Sequence, residues 1–371
     1  MEKIQLPTNW TYNRKAIYYR IPTQDQAQFN GKQWLRLGND LPSAVEAFFK
    51  ICSNPMERER SKNTNVWLTY WIGDHVLNPK RIRPATKRQH LSSIQRLRGV
   101  FGDLDVPDIT SSKITRWFFQ RFDENKTGGR RELETLSSFL TWCKRYDLIL
   151  YNTAMGLRLP RPQPRIHYVD DFEVEMFMET ANPLIQRYIP LKIYTGARKN
   201  DLLSIKVSHI TEQGLYIGDR KSYRVQTESR SRGRIFQIGT ELETILNAFP
   251  MDGEYLFESS KRLPYIDFSN DTTSGFDSIW RRSKERALEN GMYQSNQKDK
   301  PRYVDFEEAK ILGIPLIFQE RDLRAKTATD CENLSEASIR LGHTNLATTL
   351  RTYRRKPEYI KAKEDSTTRN L

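Results

Sequence analysis

The chain has 371 residues and a formal net charge of +14, so we expect two or three domains and a large polyanionic partner, either nucleic acid or an acidic membrane surface. No apolar run is long enough for a transmembrane helix, and the first residues lack the apolar core of a signal peptide. The three cysteines have neither zinc nor disulfide spacing, and the five histidines lie near no carboxylate cluster. These features predict a soluble intracellular protein without a metal or a cofactor.

Residues 1–55 are expected to form a small α+β module. Residues 16–21 and 33–37 are rich in the aromatic and branched side chains that favour short strands. A capped helix is expected to begin at Ser43. Because so short a module buries little apolar surface, we interpret it as an appendage whose basic surface carries its role.

Residues 63–160 have the periodicity of helices. Apolar side chains recur every three or four residues in four segments, around Trp67, Leu91, Ile114 and Leu133. Basic stretches lie between these segments. The pattern predicts a bundle of four amphipathic helices that lies on DNA, although a merely solvated face is the better interpretation of any single charge.

A proline-rich basic stretch at residues 159–165 marks the main domain boundary. Its alternating prolines block helix formation and keep the backbone extended. Residues 166–371 then combine helical periodicity with two predicted strands, at 214–217 and 234–238. The whole chain is therefore expected to be a multidomain, mainly helical protein with small β-sheets.

The last third of the chain carries the residues with the most specific chemistry. Arg321-Asp322-Leu323-Arg324 is followed by Leu341-Gly342-His343 and by Tyr353. Arginine forks match phosphate oxygens, histidine adds a donor, and a tyrosine hydroxyl can act as a nucleophile. Each residue alone would more often be structural, but together they predict an attack on a phosphodiester.

These motifs resemble those of the tyrosine recombinases, the phage-integrase family, and in particular lambda-like integrases. The resemblance is carried by Thr195-Gly196-Ala197-Arg198, the Arg321–Arg324 motif, the Leu341–His343 motif and Tyr353, in this order and spacing. It implies an arm-type DNA-binding domain at residues 1–55. It also implies a helical core-site-binding domain at 63–160, and a catalytic domain with a C-terminal tail at 166–371.

The resemblance implies a site-specific recombinase that cuts and rejoins DNA to integrate or excise a mobile element. Tyr353 would attack the phosphorus and form a 3′-phosphotyrosine link. Arg198 and Arg324 would hold the phosphate, and His343 would add a hydrogen bond. Tyr359 is a weaker candidate nucleophile because it follows a proline. No metal and no cofactor are expected.

Three positions differ from the family pattern or leave a choice open. Lys221 is the expected general acid in a β-hairpin turn, but the predicted hairpin is unusually long and Arg230 remains a rival. Arg321 stands where the family usually has histidine, so it could donate to phosphate but could not accept the tyrosine proton. Tyr353 follows His343 by ten positions, one more than is usual in the family.

The resemblance also implies the partners. These would be double-stranded DNA attachment sites of core and arm type, a homotetramer on DNA, a host DNA-bending protein and an excisionase, in the nucleoid of a bacterial cell and away from membranes. Two alternatives have the same fold or chemistry: a type IB topoisomerase and a non-catalytic DNA-binding protein. The arm-like module at residues 1–55 argues against the topoisomerase.

Overall fold

The computed structural model describes residues 10–21, 23, 26, 31–40, 43–44, 47–48, 62–78, 82–219, 233–295 and 302–356. The chain divides into two compact units, Met1–Gln163 and Pro164–Leu371, and each has its own buried apolar core. None of the helices in these described stretches is long and apolar enough to cross a membrane.

The first unit begins with a three-stranded antiparallel sheet in the order β1-β2-β3. Its strands are β1 (Trp10–Asn13), β2 (Ala16–Arg20) and β3 (Trp34–Gly38). The turn between β1 and β2 consists of Arg14 and Lys15, with φ of 44° and 66°, as a two-residue hairpin turn of this kind requires. Strands β2 and β3 lie where the sequence predicted strands, whereas β1 was not among those two segments.

Four helices follow, in the four segments that the periodicity predicted. They are α1 (Thr64–Trp71), α2 (Pro84–Phe101), α3 (Ser111–Glu124) and α4 (Lys126–Lys144), and a π-helical turn, Ile72–Val76, continues α1. The side chains of Asn63, Thr110 and Asn125 cap the starts of α1, α3 and α4. Trp67 and Trp71 are buried, so these rings belong to the core.

The second unit is mostly helical with two small sheets. Its helices are α5 (Asp171–Thr180), α6 (Pro183–Thr195), α7 (Lys199–Leu202), α8 (Thr240–Asn247), α9 (Ser274–Glu289), α10 (Phe306–Leu312), α11 (Glu320–Asp330), α12 (Leu334–Leu341) and α13 (Leu346–Tyr353). One sheet is antiparallel, in the order β4 (Ile210–Thr211), β5 (Gly214–Ile217) and β6 (Arg234–Phe236). The other is a parallel pair, β7 (Gln294–Ser295) and β8 (Tyr303–Val304). The predicted fold class, mainly helical with small sheets, is confirmed.

Helix α11 lies in the interior of the second unit. Its residues from Asp322 to Thr329 are all buried, including the charged side chains of Arg324 and Lys326. Buried charges are stable only when they are paired or hydrogen-bonded. The hydrogen bonds and ion pairs of Arg324 and Lys326 therefore show where charged and polar groups cluster inside this unit.

Candidate active site

Arg324 is at the centre of this polar cluster and is only 4% exposed. Its Nη1 donates to the carbonyl oxygen of Gly196 at 2.5 Å, and its Nη2 donates to the carbonyl oxygen of Leu341 at 2.8 Å. Gly196 ends α6 in the left-handed conformation, with φ of 59°, and Leu341 is the last residue of α12. One guanidinium thus joins the ends of two helices from distant parts of the sequence.

Arg198 follows the Gly196 turn and occupies the cap position of α7. Its Nη1 donates to Oδ1 of Asp219 at 2.9 Å and lies 3.8 Å from Oδ2 of Asp201. Asp219, just after β5, makes the closer of these two contacts. The two carboxylates hold the guanidinium in place. Solvent or a ligand can still reach it, because the side chain of Arg198 is 28% exposed.

His343 contacts Arg324 through one ring nitrogen and Thr349 through the other. Nε2 is 2.9 Å from Nη2 of Arg324, and Nδ1 is 2.8 Å from Oγ1 of Thr349. A guanidinium can only donate, so Nε2 accepts and Nδ1 carries the proton. Ser338 completes the support, because its hydroxyl lies 3.3 Å from that of Thr349 and donates to the His343 carbonyl oxygen at 3.2 Å.

The charge environment keeps the His343 ring neutral near pH 7. Burial lowers its pKa to about 4, and the positive charges of Arg324, Arg198 and Arg234 add to this, while Asp219 opposes them. A bound anion would offset the three cations and raise the pKa again. The site is therefore electrostatically suited to a negatively charged ligand.

Tyr353, the last residue of α13, lies against both of these residues. Its ring centroid is 4.9 Å from that of His343 and 5.3 Å from Cζ of Arg324. Its carbonyl oxygen accepts from Oγ1 of Thr329 on α11 at 3.0 Å. Burial lowers the pKa of Arg324 to about 10, and attraction to the Tyr353 phenol opposes this shift. The Tyr353 ring thus lies next to Arg324 although one more residue than is usual in the family separates Tyr353 from His343.

Of the other predicted site residues, Arg321 lies in the described part of the chain and is not part of this cluster. Arg321 is exposed on the first turn of α11. Within the described part of the chain, no hydrogen bond or ion pair joins it to Arg198, Arg324 or His343. Lys221 and its rival Arg230, like the alternative nucleophile Tyr359, lie outside the described residues.

The structure adds Arg234, on β6, which the sequence analysis treated only as part of a strand. Its Nη1 donates to the carbonyl oxygen of Arg340 at 2.6 Å. The residue is therefore attached to the end of α12, immediately before the turn that presents His343. Nothing in the local sequence distinguishes this arginine from the other basic residues near the hairpin.

A buried ion pair links the Arg198 turn to the start of α11. Nζ of Lys192 lies 2.5 Å from Oε1 of Glu320 and donates to the carbonyl oxygen of Ala197 at 2.7 Å. The Tyr188 hydroxyl donates to the same carboxylate oxygen at 2.5 Å. Burial lowers the pKa of Lys192, whose side chain is 1% exposed, and Glu320 opposes that shift. This pair fixes the backbone just before Arg198.

We expect Lys192→Met to destabilise the fold by about 3 kcal/mol, because it leaves the Glu320 carboxylate, which is only 16% exposed, without its cation. The double variant Lys192→Met, Glu320→Met should recover much of that loss, since no charge is then left unpaired. Urea unfolding measures both. Lys206→Met, which removes a lysine from a surface pair with Glu254, is the matched control and should be close to the unaltered protein. A single variant as stable as this control would contradict the structural role of the pair.

Comparison with known proteins agrees with this geometry. No family model matches the chain. The integrases of Enterobacteria phage 434 and Escherichia phage lambda are 22% and 23% identical to it over 280 residues, which cover 71% of this chain and 76% of each relative. The lambda integrase tetramer bound to a Holliday junction has a TM-score of 0.60 at 20% identity, over 97% of this chain and 99% of that chain. The Tn1549 transposon integrase in complex with circular intermediate DNA has a TM-score of 0.53 at 12% identity, over 81% and 97% of the two chains. The chain is thus similar in sequence to phage integrases and shares the fold of lambda integrase.

Proposed function

We propose that the protein is a site-specific recombinase that integrates and excises a mobile element by cutting and rejoining DNA through a 3′-phosphotyrosine intermediate. The observation that carries this proposal is the packing of the Tyr353 ring against His343 and Arg324. This packing puts the Tyr353 side chain beside a buried guanidinium, and it supports the proposed roles of Tyr353 as nucleophile and of the arginine cluster as the phosphate site. The integrases with which the chain shares its fold support the same function.

In the proposed reaction, Arg198 and Arg324 bind the non-bridging oxygens of the scissile phosphate. The phenolate oxygen of Tyr353 forms a bond to phosphorus, and the bond from phosphorus to the 5′ oxygen breaks. The leaving oxygen takes a proton from a general acid. Attack by a 5′-hydroxyl on the phosphotyrosine reverses these steps, so that joining needs no external energy source.

The tyrosine must lose its proton before it attacks. The guanidinium of Arg324 lies 5.3 Å from the Tyr353 ring centroid, and its positive charge attracts the negative charge of the attacking oxygen. The guanidinium groups also supply the positive charge that a metal ion supplies in other phosphoryl-transfer enzymes.

Lys221 is the general acid that we propose. The segment between β5 and β6 leaves the site at Asp219, which binds Arg198, and returns to it at Arg234. Lys221 is two positions after Asp219 in the sequence, which supports this choice. A lysine can release its proton, whereas the guanidinium of Arg230 does so only with difficulty. For exposed Arg321 we propose only a contact with a DNA phosphate.

We further propose that residues 1–55 bind arm-type sites and residues 63–160 bind the core site. The tip of the β1–β2 turn supports the first assignment, because Arg14 and Lys15 occupy positions where asparagine and glycine are usual. The lambda integrase tetramer on a Holliday junction supports assembly of four copies on DNA. A host DNA-bending protein, an excisionase and action in the bacterial nucleoid complete the proposal.

A nicked core-site duplex tests the function, because loss of the short fragment beside the nick prevents rejoining. We expect a covalent protein–DNA adduct on denaturing gels, with or without EDTA, and joining of the bound strand to a second duplex. Relaxation of supercoiled DNA without strand exchange would indicate the topoisomerase alternative. DNA binding without any adduct would indicate a non-catalytic protein.

A further inference from the structure

Arg234 and Arg324 bind two successive carbonyl groups at the end of α12. Nη1 of Arg234 donates to the carbonyl oxygen of Arg340 at 2.6 Å, and Nη2 of Arg324 donates to that of Leu341 at 2.8 Å. The last carbonyls of a helix lack partners within it and carry partial negative charge. The two guanidiniums therefore bind adjacent carbonyl groups just before the turn that presents His343.

Gly342 makes room for this arrangement. Its φ is +67°, which a residue with a side chain rarely adopts, and a Cβ atom at this position would lie 3.3 Å from both Cζ and Nη1 of Arg234. The glycine is thus required by the turn and also by the guanidinium that packs on it. The Leu341–His343 motif consequently includes the glycine against which the Arg234 guanidinium packs.

The three arginines of the site repel one another. Burial and the charge of Arg198 lower the pKa of Arg234, while Asp201 and Asp219 oppose that shift. Arg198 and Arg234 in turn contribute to the lowered pKa of Arg324. In addition, Nε and Nη2 of Arg234 are buried and have no hydrogen-bond partner in the described part of the chain. A cluster of this kind becomes more favourable when an anion enters it.

We propose that Arg234 is a further positioning residue of this active site, which fixes the turn bearing His343 and adds a third positive charge behind Arg198 and Arg324. The proposal rests on the recombinase function for its effect on cleavage. The charged and polar groups around His343 are Arg324 and Thr349, Arg198, Asp219, Ser338 and Tyr353 besides Arg234. Arg234 differs from Arg324 because it acts on His343 through the backbone and through its charge.

Two variants separate these contributions in the full-length protein. We expect Arg234→Gln to reduce the rate of adduct formation at saturating DNA by at least about tenfold, since small misplacements of catalytic groups have effects of this size or larger. Removal of the positive charge should also raise the His343 pKa from about 4 toward its ordinary value, as followed by NMR of the imidazole in the free protein. Arg234→Lys keeps the charge, so the pKa should stay low while cleavage still falls by about fivefold, because a lysine cannot form the same fork.

Arg281→Gln is the matched control, because it removes an equal charge from an exposed arginine on α9 that pairs with Glu285. This variant should leave both the cleavage rate and the His343 pKa unchanged. Wild-type cleavage by the Arg234 variants, or a His343 pKa that does not move in Arg234→Gln, would overturn the proposal. If Arg234→Gln does not fold, the cleavage rate of Arg234→Lys tests the proposal instead: a fivefold loss supports it, and an unchanged rate overturns it. If the unaltered protein forms no adduct, the recombinase function fails instead, and the His343 pKa still tests the role of Arg234.

Discussion

Tyr353→Phe should abolish the covalent adduct and leave DNA affinity within about twofold of the unaltered protein. The substitution removes one hydroxyl group, and the ring can keep its contacts with His343 and Arg324. The hydrogen bond from Thr329 is made to the backbone of Tyr353, so the position of α13 should also persist. Without the nucleophilic oxygen no bond to phosphorus can form, and the loss should exceed the range of the assay.

The measurement is denaturing electrophoresis of the nicked-duplex reaction, together with a binding titration on the same DNA. Tyr151→Phe is a suitable control, because that ring is 66% exposed and belongs to the other unit. It should form the adduct at the normal rate. Adduct formation by Tyr353→Phe would move the nucleophile elsewhere, and mapping the labelled peptide would show whether Tyr359 takes the role.

The sequence predicted those parts of the fold that depend on local periodicity. Helices α1 to α4 bury apolar side chains such as Trp71, Phe118 and Leu140. In each of these segments the apolar side chains recur every three or four residues. Strand β1 was not predicted from its residues because Trp10–Asn13 is only four residues long, too short for its alternation of aromatic and polar side chains to distinguish a strand from a loop. It is a strand because it pairs with β2, and pairing is not a property of four residues alone.

The site was predictable where a motif carried the chemistry and unpredictable where only tertiary contacts do. Arg198, Arg324, His343 and Tyr353 could be proposed together from their order and spacing. The role of Arg234 depends on a contact with Arg340, 106 positions away, and no local pattern encodes such a contact. The same holds for Asp219 beside Arg198 and for the buried Lys192, whose residue type alone would favour the surface.

Arg321 was predicted to belong to the site, but no contact joins it to the other site residues within the described part of the chain. It precedes Arg324 by three positions, so the two residues lie close together on one helix. Arg321 is nevertheless exposed, whereas Arg324 is buried. The difference arises because α11 begins at the surface and enters the interior within its first turn. The spacing of a motif therefore predicts which face of a helix its residues share, but it does not predict how deeply each side chain is buried.

Arg324→Lys should impair both folding and cleavage, because Arg324 has two roles in this site. Its guanidinium satisfies the carbonyl groups of Gly196 and Leu341 as well as contacting His343. A lysine ammonium is a compact donor and cannot hold both carbonyls in the same fork geometry. Loss of hydrogen bonds from a charged donor to buried carbonyls should lower the free energy of unfolding by about 2–4 kcal/mol.

Cleavage should also fall, by about a hundred- to a thousandfold, because a hydrogen-bond donor to the developing charge is removed from a buried position. Arg198→Lys is the informative comparison, since Arg198 is 28% exposed and is held by side-chain carboxylates rather than by helix ends. It should slow adduct formation with little change in urea unfolding. A folded Arg324→Lys protein that cleaves like the unaltered one would show that the phosphate is bound elsewhere. If instead both variants lose stability equally, Arg324 has no special part in joining α6 to α12, and the site is held together by other contacts of α11.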